Sequence, residues 1–362
     1  MIQSRPLTRL RRCLVIAAVF CLGATGLGSA QTASASRSTT QPAQKTTTKK
    51  TTTKQTTARK TTSSSRTSRA RRTRLAQEQA LRDAQEPRFK LDESGALVPD
   101  VRAEAAIIYN SENGQVLWES NSQNLRSIAS ITKVMTAVVF LEDWPDLTEQ
   151  VVVQRSDVRQ ASTTYLRAGY KVTKSDLLHL TLIASDNAAA RALARVSSVG
   201  PERFIERMNS KAAELGLTAT TYADPSGLYA ANVSSALDMA RLITYVSGDE
   251  RIAGVMRKQT YSVTSGQRII NIHSTNQLVM NGDVDVQAGK TGFIRNSGYC
   301  LATFIRLPQG GPQVAVGVLG AKSNAGRFWE TRHLFNWIAS KAGSLLSTPV
   351  GGATPPADWR LV

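Results

Sequence analysis

Three short polar signals, far apart in a chain of 362 residues, constrain this fold more than any other feature. They are Ser130-Ile-Thr-Lys133, Ser185-Asp-Asn187 and Lys290-Thr-Gly292, and each occurs once. A serine hydroxyl is a weak nucleophile without a base within hydrogen-bond reach, and no serine here lies in a Gly-x-Ser-x-Gly setting that would suggest a histidine base. A fold that gives these signals a chemical role must therefore bring them together, with a lysine as the base.

The first signal opens an apolar run, residues 131–141, which predicts a buried helix. Residues three apart share a helix face, so we expect the Lys133 amine beside the Ser130 hydroxyl. The positive end of the helix dipole and the apolar surroundings both disfavour an ammonium ion there, and this lowers the lysine pKa. The pair is predicted to act as nucleophile and general base.

The other two signals supply what a serine and a lysine alone lack. Ser185 is suited to relay a proton to a leaving amine, and Asn187 to hold a substrate amide. Lys290 would keep the pocket positive for an anionic peptide, Thr291 adds a hydroxyl, and Gly292 leaves room for a close backbone approach. Taken alone, the middle signal is more typical of a helix N-cap. The order of all three signals favours the catalytic interpretation.

The ordered signals and five wider stretches resemble the low-molecular-mass penicillin-binding proteins, a family of serine D-alanyl-D-alanine peptidases. Within that family the chain is most similar to the penicillin-binding protein 7 type of D-alanyl-D-alanine endopeptidase, over roughly residues 100–340. The stretches are Ser127-Ile-Ala-Ser-Ile-Thr-Lys-Val-Met-Thr-Ala137, Asp224-Pro-Ser-Gly-Leu228, Asn232-Val-Ser-Ser-Ala236, Ser274-Thr-Asn-Gln-Leu-Val279 and Gly289-Lys-Thr-Gly-Phe293.

The resemblance implies a role for each residue of the signals. It makes Ser130 the acylated nucleophile, Lys133 its base and Ser185 a further catalytic residue. It implies an oxyanion hole that consists of the backbone N–H groups of Ser130 and Phe293. The residues that it places against the substrate are Asn187, Lys290, Thr291 and Gly292.

The implied function is a penicillin-sensitive serine D,D-peptidase that cleaves D-alanyl bonds in peptidoglycan, with β-lactams as covalent inhibitors. An endopeptidase is favoured over a D-alanyl-D-alanine carboxypeptidase. A β-lactamase is a further alternative, but its Glu-x-x-Leu-Asn motif is matched only by Glu214-Leu-Gly-Leu-Thr218. A non-catalytic wall-binding protein is the alternative outside enzymes. The three histidines match no metal-binding spacing, so no metal and no cofactor are predicted.

The charge of the chain is concentrated at its N-terminus. Residues 1–74 carry 16 of the 45 basic residues and no acidic one, so the rest has 29 basic against 27 acidic residues. Residues 1–30 have the basic, apolar and small-residue regions of a secretory signal. Export to the periplasmic or cell-wall side is expected, with the signal either cleaved or kept as a membrane tether.

Residues 31–98 are predicted to be a disordered linker rich in threonine, serine and basic residues, with a short helix near 75–88. A solvated spacer is the first interpretation, and attachment to anionic envelope polymers the second. Nucleic acid is not an expected partner, because export separates the protein from nucleic acid and because residues 31–74 lack aromatic side chains that could stack on bases. Residues 99–345 are the predicted catalytic domain, and 346–362 a flexible tail.

The coarse pattern predicts an α/β fold of the α+β type, an antiparallel sheet flanked by helices with an all-helical insertion. An Asn-Gly hairpin at 105–118 opens the sheet, strands between 261 and 319 complete it, and a helix over 325–342 closes the domain. Cys300 is predicted to be a buried free thiol. Arg327 is more typical of a surface arginine than of a carboxylate ligand, and the aromatic residues of the last helix are predicted to pack against the sheet.

Overall fold

The computed structural model describes residues 62–345, in which strands and helices alternate along the chain. The strands are β1 (Phe89–Leu91), β2 (Leu97–Pro99), β3 (Ala105–Asn110), β4 (Val116–Ser120), β5 (Arg126–Ser127), β6 (Gln150–Val152), β7 (Lys171–Thr173), β8 (Val233–Ser234), β9 (Thr260–Ser265), β10 (Arg268–His273), β11 (Asp285–Ile294), β12 (Gly298–Arg306) and β13 (Gln313–Ala321). The helices are α1 (Thr62–Gln85), α2 (Lys133–Leu141), α3 (Arg155–Val158), α4 (Lys174–Leu182), α5 (Asn187–Arg195), α6 (Gly200–Glu214), α7 (Ala236–Ser247), α8 (Glu250–Met256), α9 (Gln277–Asn281) and α10 (Asn324–Leu345).

The principal sheet has five antiparallel strands in the order β11-β12-β13-β3-β4. The predicted hairpin of β3 and β4 turns at Gly114, whose φ of +76° suits glycine. The hairpin joins the late strands because β3 pairs with β13 along six residues, from Ala105 opposite Leu319 to Asn110 opposite Val314. This arrangement leaves β11 at one edge of the sheet, with β12 as its neighbour.

The mainly helical insertion between β4 and β9 shares one apolar core with a face of the sheet, to which Ile107, Phe304 and Leu319 contribute. Every residue of α2 is buried, including Lys133 and Thr136, and α2 packs against α4, α5, α6 and α7. Helix α5 buries a row of alanines, whose small side chains allow close approach of neighbouring helices. The run of apolar residues after Ser130 therefore forms the central helix of this part, as predicted.

The last helix covers one face of the sheet, since α10 packs on β12 and β13. Phe328, Leu334, Phe335 and Ile338 are buried at helical spacing, which confirms the predicted packing of this helix. Cys300 on β12 is fully buried and is a free thiol, also as predicted. The predicted antiparallel sheet flanked by helices is confirmed, but the insertion is not all-helical, because it also contains the short strand pairs β5–β8 and β6–β7.

Over residues 62–98 the structure differs from the predicted disordered linker with one short helix. Helix α1 begins at Thr62, well before the predicted short helix at 75–88, and residues 62–85 contain no glycine or proline to break it. Within α1 the Arg74 side chain pairs with Glu78 at 2.8 Å. The helix packs on α10, where the Nε2 atom of His333 lies 2.8 Å from the backbone oxygen of Gln85. These contacts order a segment whose composition alone predicts disorder.

The structure also contains a hairpin and several short elements that were not predicted. Strands β1 and β2 pair as a hairpin inside the predicted linker. The strand pairs β5–β8 and β6–β7 and the helices α3, α8 and α9 were not predicted, because each is too short for periodicity to reveal.

The predicted signal at 1–30, the linker up to residue 61 and the tail at 346–362 lie outside the described residues. Within 62–345 no helix is long and apolar enough to cross a membrane.

Candidate active site

The first predicted signal lies in a 3-10 turn (Ala129–Thr132) that leads directly into α2. Ser130 and Lys133 are therefore three residues apart where 3-10 geometry nearly eclipses such side chains. The Lys133 Nζ atom lies 2.9 Å from Ser130 Oγ. Ala129, just before the serine, has a φ of +48°, an unfavourable conformation for a residue with a side chain. This strained residue sets the position of Ser130 at the start of the turn.

The Lys133 amine has two hydrogen-bond partners besides Ser130, and both are acceptors. Its Nζ atom lies 2.6 Å from Asn187 Oδ1 and 2.5 Å from the backbone oxygen of Ser226. The side-chain amide of Asn187 is itself fixed, because its Nδ2 atom donates to the backbone oxygen of Ala161 at 2.7 Å. A neutral amine has two hydrogens and one lone pair. If Asn187 and Ser226 accept the two hydrogens, the lone pair faces the Ser130 hydroxyl.

Burial lowers the pKa of Lys133 to about 7, and two buried carboxylates, Asp224 and Asp186, oppose that shift. The nearby guanidinium of Arg191 lowers the pKa further. At neutral pH a substantial fraction of the amine is therefore uncharged. The sequence predicted the direction of this shift from burial and the helix dipole, but not the opposing carboxylates.

The middle signal forms the turn between α4 and α5. Ser185 has a φ of +59°, so this turn is strained in the same way as the one before Ser130. Asp186 is the N-cap of α5: its carboxylate accepts hydrogen bonds from Ala189 N at 2.9 Å and from Tyr165 N at 2.6 Å. The helix cap is thus Asp186, which leaves the side chains of Ser185 and Asn187 available to the site.

The third signal lies on β11, the edge strand of the sheet. Lys290 is almost wholly buried, and its Nζ atom lies 2.8 Å from Ser185 Oγ and 3.0 Å from the backbone oxygen of Thr291. Burial, followed by repulsion from Lys133 and Arg327, holds the Lys290 pKa well below its usual range. The hydroxyl of Thr291 lies 2.7 Å from that of Thr275, which fixes the side chain beside the strand.

Gly292 lies against the 3-10 turn. A Cβ atom at this position would lie 2.5 Å from the backbone oxygen of Ile128 and 3.2 Å from the backbone nitrogen of Ser130. The glycine is therefore required by the protein's own backbone as well as by any ligand that approaches. Phe293 follows on the same strand, with a half-exposed side chain stacked on Tyr299 at 4.2 Å between ring centroids.

The prediction that Arg327 is a surface residue is wrong. Its side chain is buried at the start of α10, and its Nη1 atom donates to the backbone oxygens of Gly292 at 2.9 Å and Cys300 at 3.2 Å. The guanidinium therefore joins the last helix to β11 and β12, directly behind the third signal. No sequence motif marks this arginine, since its role follows only from the packing of α10 on the sheet.

The structure brings all three signals together, through the contacts from Lys133 to Ser130 and Asn187, and from Ser185 to Lys290. Sequence reasoning missed the loop around Asp224 and Ser226 as part of this arrangement. The stretch Asp224-Pro-Ser-Gly-Leu228 was visible as a family resemblance, but its role needs the contact between Ser226 and Lys133. Within residues 62–345 no group of acidic, histidine or cysteine side chains is arranged to hold a metal ion.

Comparison with known proteins finds relatives of this chain among D-alanyl-D-alanine peptidases. A family profile described as D-alanyl-D-alanine carboxypeptidase, peptidase family S11, matches residues 92–323. The chain is 33% identical over 201 residues to the D-alanyl-D-alanine endopeptidase of Haemophilus influenzae, covering 55% of this chain and 69% of that protein. It is 30% identical over 256 residues to the D-alanyl-D-alanine endopeptidase of Escherichia coli K12, covering 69% and 81%.

Solved structures agree with the sequence matches. The chain resembles penicillin-binding protein D2 from Listeria monocytogenes, solved in a cefotaxime-bound form, with a TM-score of 0.59 and 28% identity. That match covers 67% of this chain and 98% of the other. The profile spans well over half of the chain and includes all three signals. The chain therefore belongs to the S11 family of serine D-alanyl-D-alanine peptidases.

Proposed function

We propose that this chain is a serine D,D-peptidase that cleaves D-alanyl peptide bonds in peptidoglycan through an acyl-enzyme on Ser130. The observation that supports it most directly is the hydrogen bonding of Lys133, whose amine has Asn187 Oδ1, the Ser226 carbonyl oxygen and Ser130 Oγ as partners. With a pKa of about 7, Lys133 is able to take the Ser130 proton at neutral pH.

In acylation the Oγ atom of Ser130 forms a bond to the D-alanyl carbonyl carbon while its proton moves to Lys133 Nζ. The backbone N–H groups of Ser130 and Phe293 are proposed to hold the resulting oxyanion. The C–N bond then breaks as the leaving nitrogen takes a proton from the hydroxyl of Ser185, and the proton that Lys133 took from Ser130 replaces it, so that Lys133 is again uncharged. The Ser185 Oγ atom lies 2.8 Å from Lys290 Nζ. Water later attacks the ester and restores the free serine.

The proposed substrate contacts lie along β11 and the middle signal. An extended peptide would pair with the free edge of β11, where backbone groups are available for strand addition. Lys290 and Thr291 would face an anionic group of the peptide, and Asn187 would orient an amide while also holding Lys133. Gly292 keeps the strand close to Ser130, so that a peptide on this edge presents its carbonyl carbon to the hydroxyl.

An endopeptidase is the favoured form of this activity, supported by the names of the two relatives described above. The second candidate is a D,D-carboxypeptidase, supported by the description of the family profile. Purified cross-linked muropeptide dimers distinguish the two. We expect the wild-type protein to convert dimers into monomers, and Ser130→Ala to leave them intact. Release of free D-alanine with the cross-links unbroken would reject the endopeptidase.

The acyl-enzyme itself is tested with benzylpenicillin. We expect the intact mass to increase by one penicillin, and the modified peptide to contain Ser130. The relative solved with cefotaxime supports β-lactams as ligands. An adduct on any other residue would overturn the assignment of the nucleophile. An unmodified protein that still binds purified cell wall would instead favour the non-catalytic alternative.

A β-lactamase is disfavoured by the surroundings of Glu214. Its carboxylate pairs with Arg207 and Lys211 in a partly exposed ion-pair cluster, and these hydrogen bonds lower its pKa to about 2. A carboxylate held so firmly ionised is a poor general base for deacylation. We expect Glu214→Gln to leave the slow release of the penicilloyl group unchanged. A large fall in that release rate would revive the β-lactamase.

We propose that the protein is exported, with residues 1–30 as its signal, and that the basic N-terminal segment binds anionic envelope polymers. The exposed arginines at the start of α1, among them Arg69, Arg71 and Arg72, extend that positive charge into the described residues. We expect replacement of these three by glutamine to weaken co-sedimentation with anionic wall polymers at low salt without changing acylation. Equal binding by both proteins would contradict this role for the α1 arginines.

A further inference from the structure

The loop over residues 224–232 is organised around one buried carboxylate. Asp224 accepts hydrogen bonds from the backbone nitrogens of Ser226 at 2.9 Å and Tyr229 at 3.1 Å, from Asn232 Nδ2 at 2.5 Å, and from the hydroxyl of Ser226. Asn232 in turn accepts from the backbone nitrogen of Ala223 at 3.0 Å. With four donors on one carboxylate, the loop has little freedom to adopt another conformation.

This loop contacts the segment around Ser130 at three points. The backbone oxygen of Ser226 lies 2.5 Å from Lys133 Nζ, and that of Pro225 lies 2.6 Å from Thr136 Oγ1. The backbone oxygen of Asn232 accepts from Ile128 N at 3.0 Å. Any movement of the loop therefore changes the position of the acceptor that directs the Lys133 amine.

We infer that Asp224 is a positioning residue for the general base, because its carboxylate fixes the carbonyl group of Ser226 that aims the Lys133 lone pair at Ser130. The inference rests on the proposed function of Lys133 and adds a residue to which that proposal gives no role. Without the Ser226 acceptor in place, the amine is free to rotate a hydrogen toward Ser130 Oγ, an orientation that cannot accept the hydroxyl proton.

Asp224 also supplies charge. Burial alone would raise its own pKa, but the hydrogen bonds from Ser226, Tyr229 and Asn232 outweigh burial and lower it, so the carboxylate is ionised at neutral pH. The charged groups that shift the Lys133 pKa are the carboxylates of Asp224 and Asp186, which raise it, and the guanidinium of Arg191, which lowers it. The Lys290 amine, whose own pKa is lowered by burial and then by Lys133, lies on the opposite side of the site. Removal of the Asp224 charge leaves Asp186 as the remaining anion of this set and lowers the Lys133 pKa further below about 7.

The test is the pH dependence of acylation by benzylpenicillin in Asp224→Asn. We expect the second-order rate constant on its alkaline plateau to fall at least about tenfold, because the amine is less well aimed. We also expect the acid limb to move to lower pH by about one unit, because the base loses a neighbouring anion. A lower plateau of the rate constant with an unmoved acid limb would mean that Asp224 only maintains the structure of the loop. An unchanged plateau would overturn the positioning role.

The matched control is Asp238→Asn. Asp238 is also a buried carboxylate with backbone and hydroxyl donors, Ala219 N and Thr220 Oγ1, each at 2.8 Å, but it is not among the groups that shift the pKa of Lys133. We expect this variant to keep the wild-type acid limb. A shift as large as that of Asp224→Asn would assign the effect to general loss of buried charge, and would overturn the inference.

Thr136→Val keeps the inference testable if Asp224→Asn does not fold. It removes one anchor of the loop, the hydrogen bond to the Pro225 carbonyl oxygen, and keeps the Asp224 charge. We expect a several-fold lower plateau and an unmoved acid limb, whereas a wild-type plateau would contradict positioning by the loop. Wild-type protein that forms no Ser130 adduct would instead refute the proposed function, so the two failures are distinguishable.

Discussion

The site contains two buried lysines, one from each part of the fold, in opposite electrostatic surroundings. Lys133 lies on α2 in the helical part, and the carboxylates Asp224 and Asp186 oppose the effect of its burial, so its pKa is about 7. Lys290 lies on the edge strand β11, where its neighbouring charges are cations, Lys133 and Arg327. Burial and repulsion therefore act together, and the Lys290 pKa lies well below its usual range.

Because their surroundings differ, Lys133 and Lys290 are suited to different tasks although both are lysines. Lys133 has anions and fixed acceptors within the protein, so its pKa is set for proton transfer without help from a ligand. Lys290 has no carboxylate partner among the described residues, so an anionic substrate would supply the missing charge and raise its pKa on binding. The helical part thus supplies a base that is ready in the free protein, and the sheet edge supplies a site completed by its ligand.

The largest effect is expected from removal of the base. Lys133→Ala should lower acylation by benzylpenicillin about 10³- to 10⁴-fold, because the described residues offer Ser130 Oγ no second amine in hydrogen-bond contact to accept its proton. Stopped-flow or mass-spectrometric rates of adduct formation measure the loss. Lys174→Ala is the control, since Lys174 is also largely buried but pairs with Glu149 at 2.6 Å. Near wild-type acylation in the Lys133 variant would remove it from the mechanism.

A smaller and more selective effect is expected on the sheet side. Lys290→Ala should lower the acylation rate constant for benzylpenicillin about 10²-fold, because the anionic ligand loses its cation in a buried site. The methyl ester of benzylpenicillin has no such anion, so wild type and variant should differ far less with the ester. Equal losses with acid and ester would show that Lys290 acts on the chemistry of Ser185 rather than on ligand charge.

The two parts of the fold also meet the 3-10 turn through glycines, Gly227 from the helical part and Gly292 from the sheet, and replacement of Gly227 tests how tightly the helical side packs, with Gly216 as the control. Gly227, with a φ of +78°, would place a Cβ atom 2.0 Å from the backbone oxygen of Ala129. Gly216 has a φ of +65° and nothing within 4 Å of its Cβ position. In urea unfolding we expect Gly227→Ala to lose about 3 kcal/mol or more, and Gly216→Ala about 1 kcal/mol. Equal losses would mean that the turn yields to the added methyl group.

The mildest test uses pH alone. Acylation needs the uncharged amine of Lys133, whose fraction rises as pH increases through about 7. Below that value the second-order rate constant should fall about tenfold per pH unit, and above it the rate should level off. An acid limb near the ordinary lysine pKa of 10.5 would contradict the proposed state of the base.

Much of the fold was predictable because its long elements carry clear periodicity. The apolar run after Ser130, the β-branched strands from β9 to β13 and the Asn-Gly hairpin each favour one local structure, and each forms it. Helix α1 was predicted too short because its polar surface hides a segment that is ordered by packing on α10. The sequence pattern records propensity and amphipathicity, but not which exposed segment finds a partner.

For the site, the sequence by itself indicated that the residues of the three signals lie together and gave the direction of the Lys133 pKa shift, because motif order and an apolar neighbourhood can be read from the sequence. The tertiary structure alone decided what surrounds each group. It buried Arg327 behind Gly292, and it brought the Ser226 carbonyl oxygen and the Asp224 charge to a lysine far earlier in the chain. Hydrogen-bond direction and electrostatic balance depend on distances of a few ångströms between remote segments, which no linear pattern specifies.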